Sequence, residues 1–171
     1  MEKKFGGLGR RELMSRIRSH GNKDTELAMA RLFRRRKITG WRRQVQLRVA
    51  NVGLQLPKDG RITRRMKTAA RHFKVRPDFV FSKLRLAVFV DGCFWHGCQR
   101  HGTQPKGNAA FWRRKISRNK TRDRRVNRAL RRAQWQVLRV WAHALTRRQE
   151  ARLLGRVRRA VGDKPRPNKI K

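Results

Sequence analysis

The stretch RPDFVFSKLRLAVFVDGCFWHGCQRH occupies residues 76–101 and carries most of the chemistry in the chain. Residues 78–81 open an apolar run behind Asp78, residues 82–85 form a polar break, and residues 86–90 are an uninterrupted apolar run ending at Asp91. Two such runs across a short break predict a β-hairpin whose second strand is buried. A turn symmetric about Lys83 and Leu84 sets Asp78 opposite Phe89, with Asp91 as its diagonal neighbour at roughly 7–8 Å on the same face. Both acids then stand at the open end of one hairpin. Carboxylates at that separation suit one hard divalent cation such as Mg²⁺, which takes oxygen ligands and keeps waters for a phosphate-bearing substrate. Taken singly, either aspartate reads as a cap at a strand edge.

Composition narrows the partner. The 171 residues hold 49 Lys and Arg against 10 Asp and Glu, a formal net charge of +39. Such self-repulsion is relieved by a polyanion, and nucleic acid comes first, ahead of ribosome-like or membrane-surface binding. Acids are so scarce that any acid on an apolar face is informative. No stretch has the length of a transmembrane helix, and the first residues, MEKKFGGLGRREL, lack the apolar core of a signal peptide. A cytoplasmic location is therefore expected, where Cys93 and Cys98 read as metal ligands rather than disulfide partners.

One domain is expected over residues 24–161, preceded by a basic arm (residues 1–23) in which Leu13, Met14 and Ile17 share a side. A helix is predicted over residues 24–37 with Asp24 as N-cap. Helical steps from Glu26 lead to Met29, Ala30 and Phe33, so this carboxylate falls on the core-facing stripe. A first-turn Glu reaching solvent fits the same residues. Residues 41–48 alternate weakly and predict a strand. Residues 48–74 show no sustained period and read as an insertion or long loop. A long helix is predicted over residues 108–133, its stripe formed by Trp112, Ile116, Val126, Leu130 and Ala133. The same steps include Asn119 and Asp123, and Asp123 is the best candidate for a carboxylate that orients a histidine, the alternative being a salt bridge on a basic helix. A strand (136–141), a helix (146–161) and a disordered basic tail (162–171) complete an α/β chain with a small mixed sheet flanked by helices.

Cys93, Cys98 and His101 offer three metal ligands within nine residues, and His143, past the end of the next predicted strand, could supply the fourth that structural Zn²⁺ requires. The alternative is two small unliganded cysteines beside surface histidines. Phe94 and Trp95 lie between these ligands; they either stack on nucleic-acid bases or roof the metal loop.

With DGCFWHGC, FWRRKISRNKTRDRRV and WQVLRVWAHAL in the same order as the RPDF motif, the chain resembles the very short patch repair (Vsr) mismatch endonucleases over residues 11–46 and 75–146. The resemblance implies a restriction-endonuclease-like core with a structural zinc site. It also implies Mg²⁺-dependent hydrolysis of one strand of double-stranded DNA, 5′ to the T of a T:G mismatch. Carried over by position, Glu26, Asp78, His96 and Asp123 match the catalytic set, and Asp91 falls where the family alternates between His and Asp. The chemistry then gives Asp78 and Glu26 to Mg²⁺, Glu26 directly or through water, and makes His96, held by Asp123, the general base. Cys93, Cys98, His101 and His143 match the zinc ligands; Met14, Phe94, Trp95, Trp112 and Asn119 match DNA-contacting positions. The chain departs from the family in its extra segment of some 26 residues and in Val75, where Gly is usual. A monomeric mismatch nickase is the leading expectation. A related nuclease of a mobile element or phage that cuts matched duplex, and a zinc-stapled DNA binder without catalysis, are the alternatives.

Overall fold

The computed structural model describes residues 25–49, 73–102 and 107–162. The expected arm (1–23), with Met14, lies outside the described residues, as do Asp24, residues 50–72 and residues 163–171 of the expected tail. Among the described residues are helix α1 (Glu26–Arg35), strands β1 (Arg42–Arg43), β2 (Leu47–Val49), β3 (Phe73–Val75), β4 (Phe79–Phe81) and β5 (Leu86–Asp91), helix α2 (Ala109–Arg132), strand β6 (Gln136–Trp141) and helix α3 (Glu150–Val161). This is a mixed α/β architecture. One sheet has the order β1-β4-β5-β6, and β2 and β3 form a separate two-stranded sheet.

The hairpin sits at the centre. Phe79 pairs with Val88 and Phe81 with Leu86 in antiparallel register, which sets Asp78 level with Phe89 as the symmetric turn requires. A single 3₁₀ turn (Ser82–Leu84) and left-handed Arg85 (φ 47°) close it. β6 then pairs parallel to β5, Phe89 opposite Arg139 and Asp91 opposite Trp141. Parallel neighbours need a crossover, and α2 supplies it.

Helices on both faces explain why β5 is apolar without alternation. Leu86 and Val88 pack with Met29 and Phe33 of α1 and with Leu153 and Val157 of α3. Ala87 and Phe89 turn the other way, onto Ala129 and Leu130 of α2 and onto Val49 and Val75 of the small sheet. Phe33 anchors the first cluster, its ring centroid 5.8, 5.1 and 5.7 Å from those of Trp41, Phe79 and Phe81. Each such pair contributes about 0.5–1.5 kcal/mol beyond burial. Arg35 and Arg36 at the end of α1 pair with Glu150 at the start of α3, tying the two helices of that layer together.

Several boundaries depart from the sequence reading. The strand expected over 41–48 is two strands in different sheets, because Gln44 adopts φ 60° and breaks the extended run. The two ends of the segment expected as an insertion, at β2 and β3, pair antiparallel with each other. α1 stops at Arg35, followed by left-handed Lys37 (φ 53°). α3 begins four residues later than expected, after a 3₁₀ turn at Arg147–Gln149. Helix α2 and strand β6 match the expected spans to within a residue at each end.

Candidate active site and metal cluster

Strand alternation puts Asp78, Phe89, Asp91 and Arg139 on the α2 face of the sheet, at the end where β5 runs into the loop beginning at Gly92. That end opens into a cleft of about 620 Å³ lined by Glu26, Asp78, Asp91, Trp95, His96, Asn119, Asp123 and Arg139, with Lys74, Arg76, Lys115 and Arg122 also on its walls. The five expected catalytic residues thus share one cavity, although they come from α1, the hairpin, the following loop and α2.

His96 is the pivot. Its Nδ1 lies 2.6 Å from Asp123 Oδ2 and 3.5 Å from Asp91 Oδ1. A neutral imidazole bound to a carboxylate through Nδ1–H keeps its Nε2 lone pair free, the arrangement a proton acceptor needs. Burial opposes ionisation of Asp123, but the hydrogen bond from His96 and the charge of Arg139 outweigh it and hold the carboxyl below the usual range.

Asp78 is in the opposite condition. Burial pushes it up to about 7, and the neighbouring charges of Glu26 and Asp91 and a hydrogen bond with Glu26 add to the rise, against the lowering effect of the Val90 amide. That amide donates to Asp78 Oδ2 at 2.6 Å. Glu26 is only 4% exposed, in keeping with its place on the core-facing stripe, and receives Arg43 Nη2 at 2.9 Å. Asp91, also 4% exposed, is held by Arg139. Two of the three acids therefore have an arginine, whereas Asp78 meets a backbone amide and another acid. A buried carboxyl held near neutrality beside a second carboxylate fits a divalent cation, because the ion offsets both charges.

Arg139 escaped the sequence reading. Its Nε and Nη2 reach Asp91 Oδ2 and Oδ1 at 2.6 and 2.5 Å, Nη1 reaches Asn127 at 3.1 Å, and Nη2 lies 3.2 Å from Asp123 Oδ1. The guanidinium sits 4.8 Å from the centroid of Phe89. One signal was available: an arginine inside QVLRVW, a strand read as buried, needs a buried partner.

Of the expected DNA-contacting residues, the four within the described residues assemble beside the cleft. Phe94, Trp95 and Trp112 pack edge-to-face with centroids 5.1–5.8 Å apart, and Phe111, 52% exposed, joins them through Trp112. All three of the first group are half-buried, so the rings support one another and still border open surface. Asn119 Nδ2 donates to the Trp95 carbonyl at 2.8 Å, so its side chain fastens the aromatic loop to α2.

Gly97 lets that loop close. It adopts φ 61°, and a Cβ there would lie 2.7 Å from Ile116 Cγ2 and 2.5 Å from Lys120 Cε on α2. Gly97→Ala is expected to lower stability by roughly 2 kcal/mol, combining left-handed strain with overpacking. Thermal unfolding of the two proteins measures it; an unchanged midpoint would show that the loop does not need this approach.

Cys93, Cys98, His101 and His143 converge on the far side of the same loop, their ligand atoms all within 4.8 Å of one another. Cys93 Sγ is 3.2 Å from His143 Nδ1, and Cys98 Sγ is 3.7 and 3.9 Å from Nδ1 of His143 and His101. Tetrahedral bonds of about 2.3 Å to sulfur and 2.0–2.1 Å to nitrogen place ligand atoms roughly 3.3–3.8 Å apart, so this donor set fits one ion of the zinc type. Burial pushes the Cys93 thiol up, with Cys98 adding to the rise. Burial, with the charges of His101 and Arg100, holds His143 towards its neutral, ligating form.

Comparison with known proteins finds relatives among DNA mismatch endonucleases and nicking enzymes. The family described as DNA mismatch endonuclease Vsr matches residues 62–101. The chain is 56% identical over 70 residues to the type II nicking enzyme V.NaeI of Lentzea aerocolonigenes, covering 41% of this chain and 42% of that protein. It is 43% identical over 91 residues to the type II nicking enzyme V.NmeDIP of Neisseria meningitidis serogroup C, covering 52% and 61%. It is 41% identical over 76 residues to the DNA mismatch endonuclease Vsr of Escherichia coli, covering 44% and 49%. The chain spans about half the length of the curated relatives it matches. Among the described residues no helix is long and apolar enough to cross a membrane.

Proposed function

We propose that this chain, a relative of the Vsr endonucleases, is a divalent-cation-dependent DNA endonuclease that nicks one strand of a duplex, 5′ to the T of a T:G mismatch. The observation that carries the reading is the cleft that joins Asp78, Glu26 and the His96–Asp123 pair under basic walls and a shelf of aromatic rings. In this reading the architecture is restriction-endonuclease-like and the protein acts as a cytoplasmic monomer on double-stranded DNA.

Asp78 and Glu26 are the residues that would hold Mg²⁺. When bound, the ion would offset charge on the scissile phosphate and favour the attacking and leaving oxygens. His96 accepts the proton of the attacking water at Nε2, since Nδ1 is engaged by Asp123. Asp123, kept ionised, fixes the tautomer and stabilises the imidazolium that forms. Lys74, Arg76, Lys115 and Arg122 supply the charge that draws a phosphate backbone into the cleft. Phe94, Trp95 and Trp112 offer ring edges and faces to a destabilised base pair, where an apolar wedge meets the least stacking resistance. Cys93, Cys98, His101 and His143 are the residues that would hold a structural Zn²⁺, which would fix both ends of the loop carrying His96.

The test is strand-resolved. With Mg²⁺, duplexes labelled on each strand in turn are offered matched or with a single T:G pair. The T strand alone is expected to be cut, at the bond 5′ to the T. Equal cutting of matched duplex overturns the mismatch requirement, and binding without scission of either strand overturns catalysis.

A further inference from the structure

Two carboxylates, Asp91 and Asp123, present four oxygens around the imidazole of His96. Arg139 contacts three of them, both oxygens of Asp91 and Oδ1 of Asp123. The fourth, Asp123 Oδ2, is the one bound to His96 Nδ1. Asp91 Oδ1 is the competing acceptor, 3.5 Å from the same nitrogen.

We propose that Arg139 is a positioning residue for strand cleavage: its guanidinium engages the competing carboxylate oxygens, so that His96 binds Asp123 Oδ2 alone and presents Nε2 to the cleft. This rests on the reading of His96 as the base. The placement of the arginine favours it. β6 delivers Arg139 opposite Phe89, whose ring backs the guanidinium, and Asn127 takes the remaining Nη1 from α2. The Arg139 carbonyl accepts Arg156 Nη2 at 2.7 Å, which ties the strand itself to α3. A planar fork can bridge two carboxylates and stack on a ring at once, whereas an ammonium is a single point of charge. Without the fork the Nδ1 proton has two acceptors, and the ring turns between them. Arg139 also lines a second cleft, of about 700 Å³, which shares Asp91, His96 and Asp123 with the first.

Arg139→Lys, which keeps the charge, and Arg139→Met, which removes it, separate positioning from charge. Both variants are expected to bind the T:G duplex in Ca²⁺ within about threefold of the parent, because the guanidinium is engaged by Asp91, Asp123 and Asn127. Single-turnover cleavage is expected to fall roughly 10- to 100-fold in each, the range for a misplaced catalytic group. Full rate in Arg139→Lys would overturn the proposal, since charge alone would then suffice. A loss of affinity equal to the loss of rate would overturn it by making Arg139 a DNA contact. The companion measurement needs no cleavage: ¹⁵N-labelled histidine NMR at one fixed pH reads the His96 Nδ1–H···Asp123 bond directly. A single strongly deshielded Nδ1 proton is expected in the parent, and a shifted or broadened one in Arg139→Lys at retained melting temperature. An identical signal in both proteins sinks the positioning role even if the chain cuts nothing. If the parent signal is present and shifts as expected while no duplex is cut, the endonuclease reading alone has failed.

Discussion

Asp78→Asn is expected to abolish strand cleavage and, in the metal-free protein, to raise stability at pH 8. Both effects come from one cause. Asp78 is a buried carboxyl pushed to about 7 beside Glu26 and Asp91, so ionising it without a cation is unfavourable. The folded state therefore holds a proton that the unfolded chain has already released, between the ordinary carboxyl value of 3.8 and about 7. Stability of the metal-free protein falls as pH rises through that window and levels off above it. The loss across that window is at most about 4 kcal/mol. Asparagine removes the titration, so the variant matches the parent near pH 4 and melts higher at pH 8. Mg²⁺ reverses the order: the parent gains stability in proportion to the logarithm of free metal over its dissociation constant, and the variant does not respond. Loss of the metal's several kcal/mol of charge stabilisation predicts a rate at least about 1,000-fold lower. Melting curves at pH 4 and pH 8, with and without Mg²⁺, and the T-strand assay measure all of this. Retained nicking, or a variant less stable than the parent at pH 8 without metal, would show that Asp78 is not the cation's carboxylate.

The residues legible in advance were those whose constraint is local. The hairpin register follows from two apolar runs and one break, and it alone brings Asp78, Phe89 and Asp91 onto one face. The α2 stripe follows from 3.6-residue periodicity, which is why Asn119 and Asp123 could be expected to face inward; the partners they found, the Trp95 carbonyl and His96, lie more than twenty residues away. The four clustered Cys and His ligands could be paired because soft ligands are few in this chain. What stayed hidden was the choice among 49 cations. Arg43 and Arg139 look like any other arginine until the fold sets them against Glu26 and Asp91. Nor does the sequence around Gln44 announce a left-handed residue, so the split of one expected strand between two sheets depended on tertiary packing overriding a weak local preference.

Cys98→Ser is expected to release the metal and to lower the melting midpoint by roughly 10 °C. Cys98 is the buried member of its cluster, 6% exposed, and its backbone closes the loop on both sides: its amide donates to the Cys93 carbonyl and its carbonyl accepts the Gly102 amide, each at 2.8 Å. Structural zinc contributes about 10–16 kcal/mol in peptides that cannot fold without it. Here neither apolar cluster includes any of the four ligands, so only the loop's share, about 3–4 kcal/mol, is expected to be lost; at roughly 2–4 °C per kcal/mol for a chain of this size that gives the stated shift. Cleavage should fall further than stability does, because His96 lies between Cys93 and Cys98 and depends on the loop to meet Asp123. His101→Cys is the matched control, as zinc accepts either ligand and His101 lies exposed at the rim; it should keep one equivalent of zinc. Elemental analysis of the purified proteins, followed by melting, checks both. If the parent carries no zinc, or Cys98→Ser keeps a full equivalent, the four ligands are not a zinc site and the order of the His96 loop must come from Gly97 and the ring cluster instead.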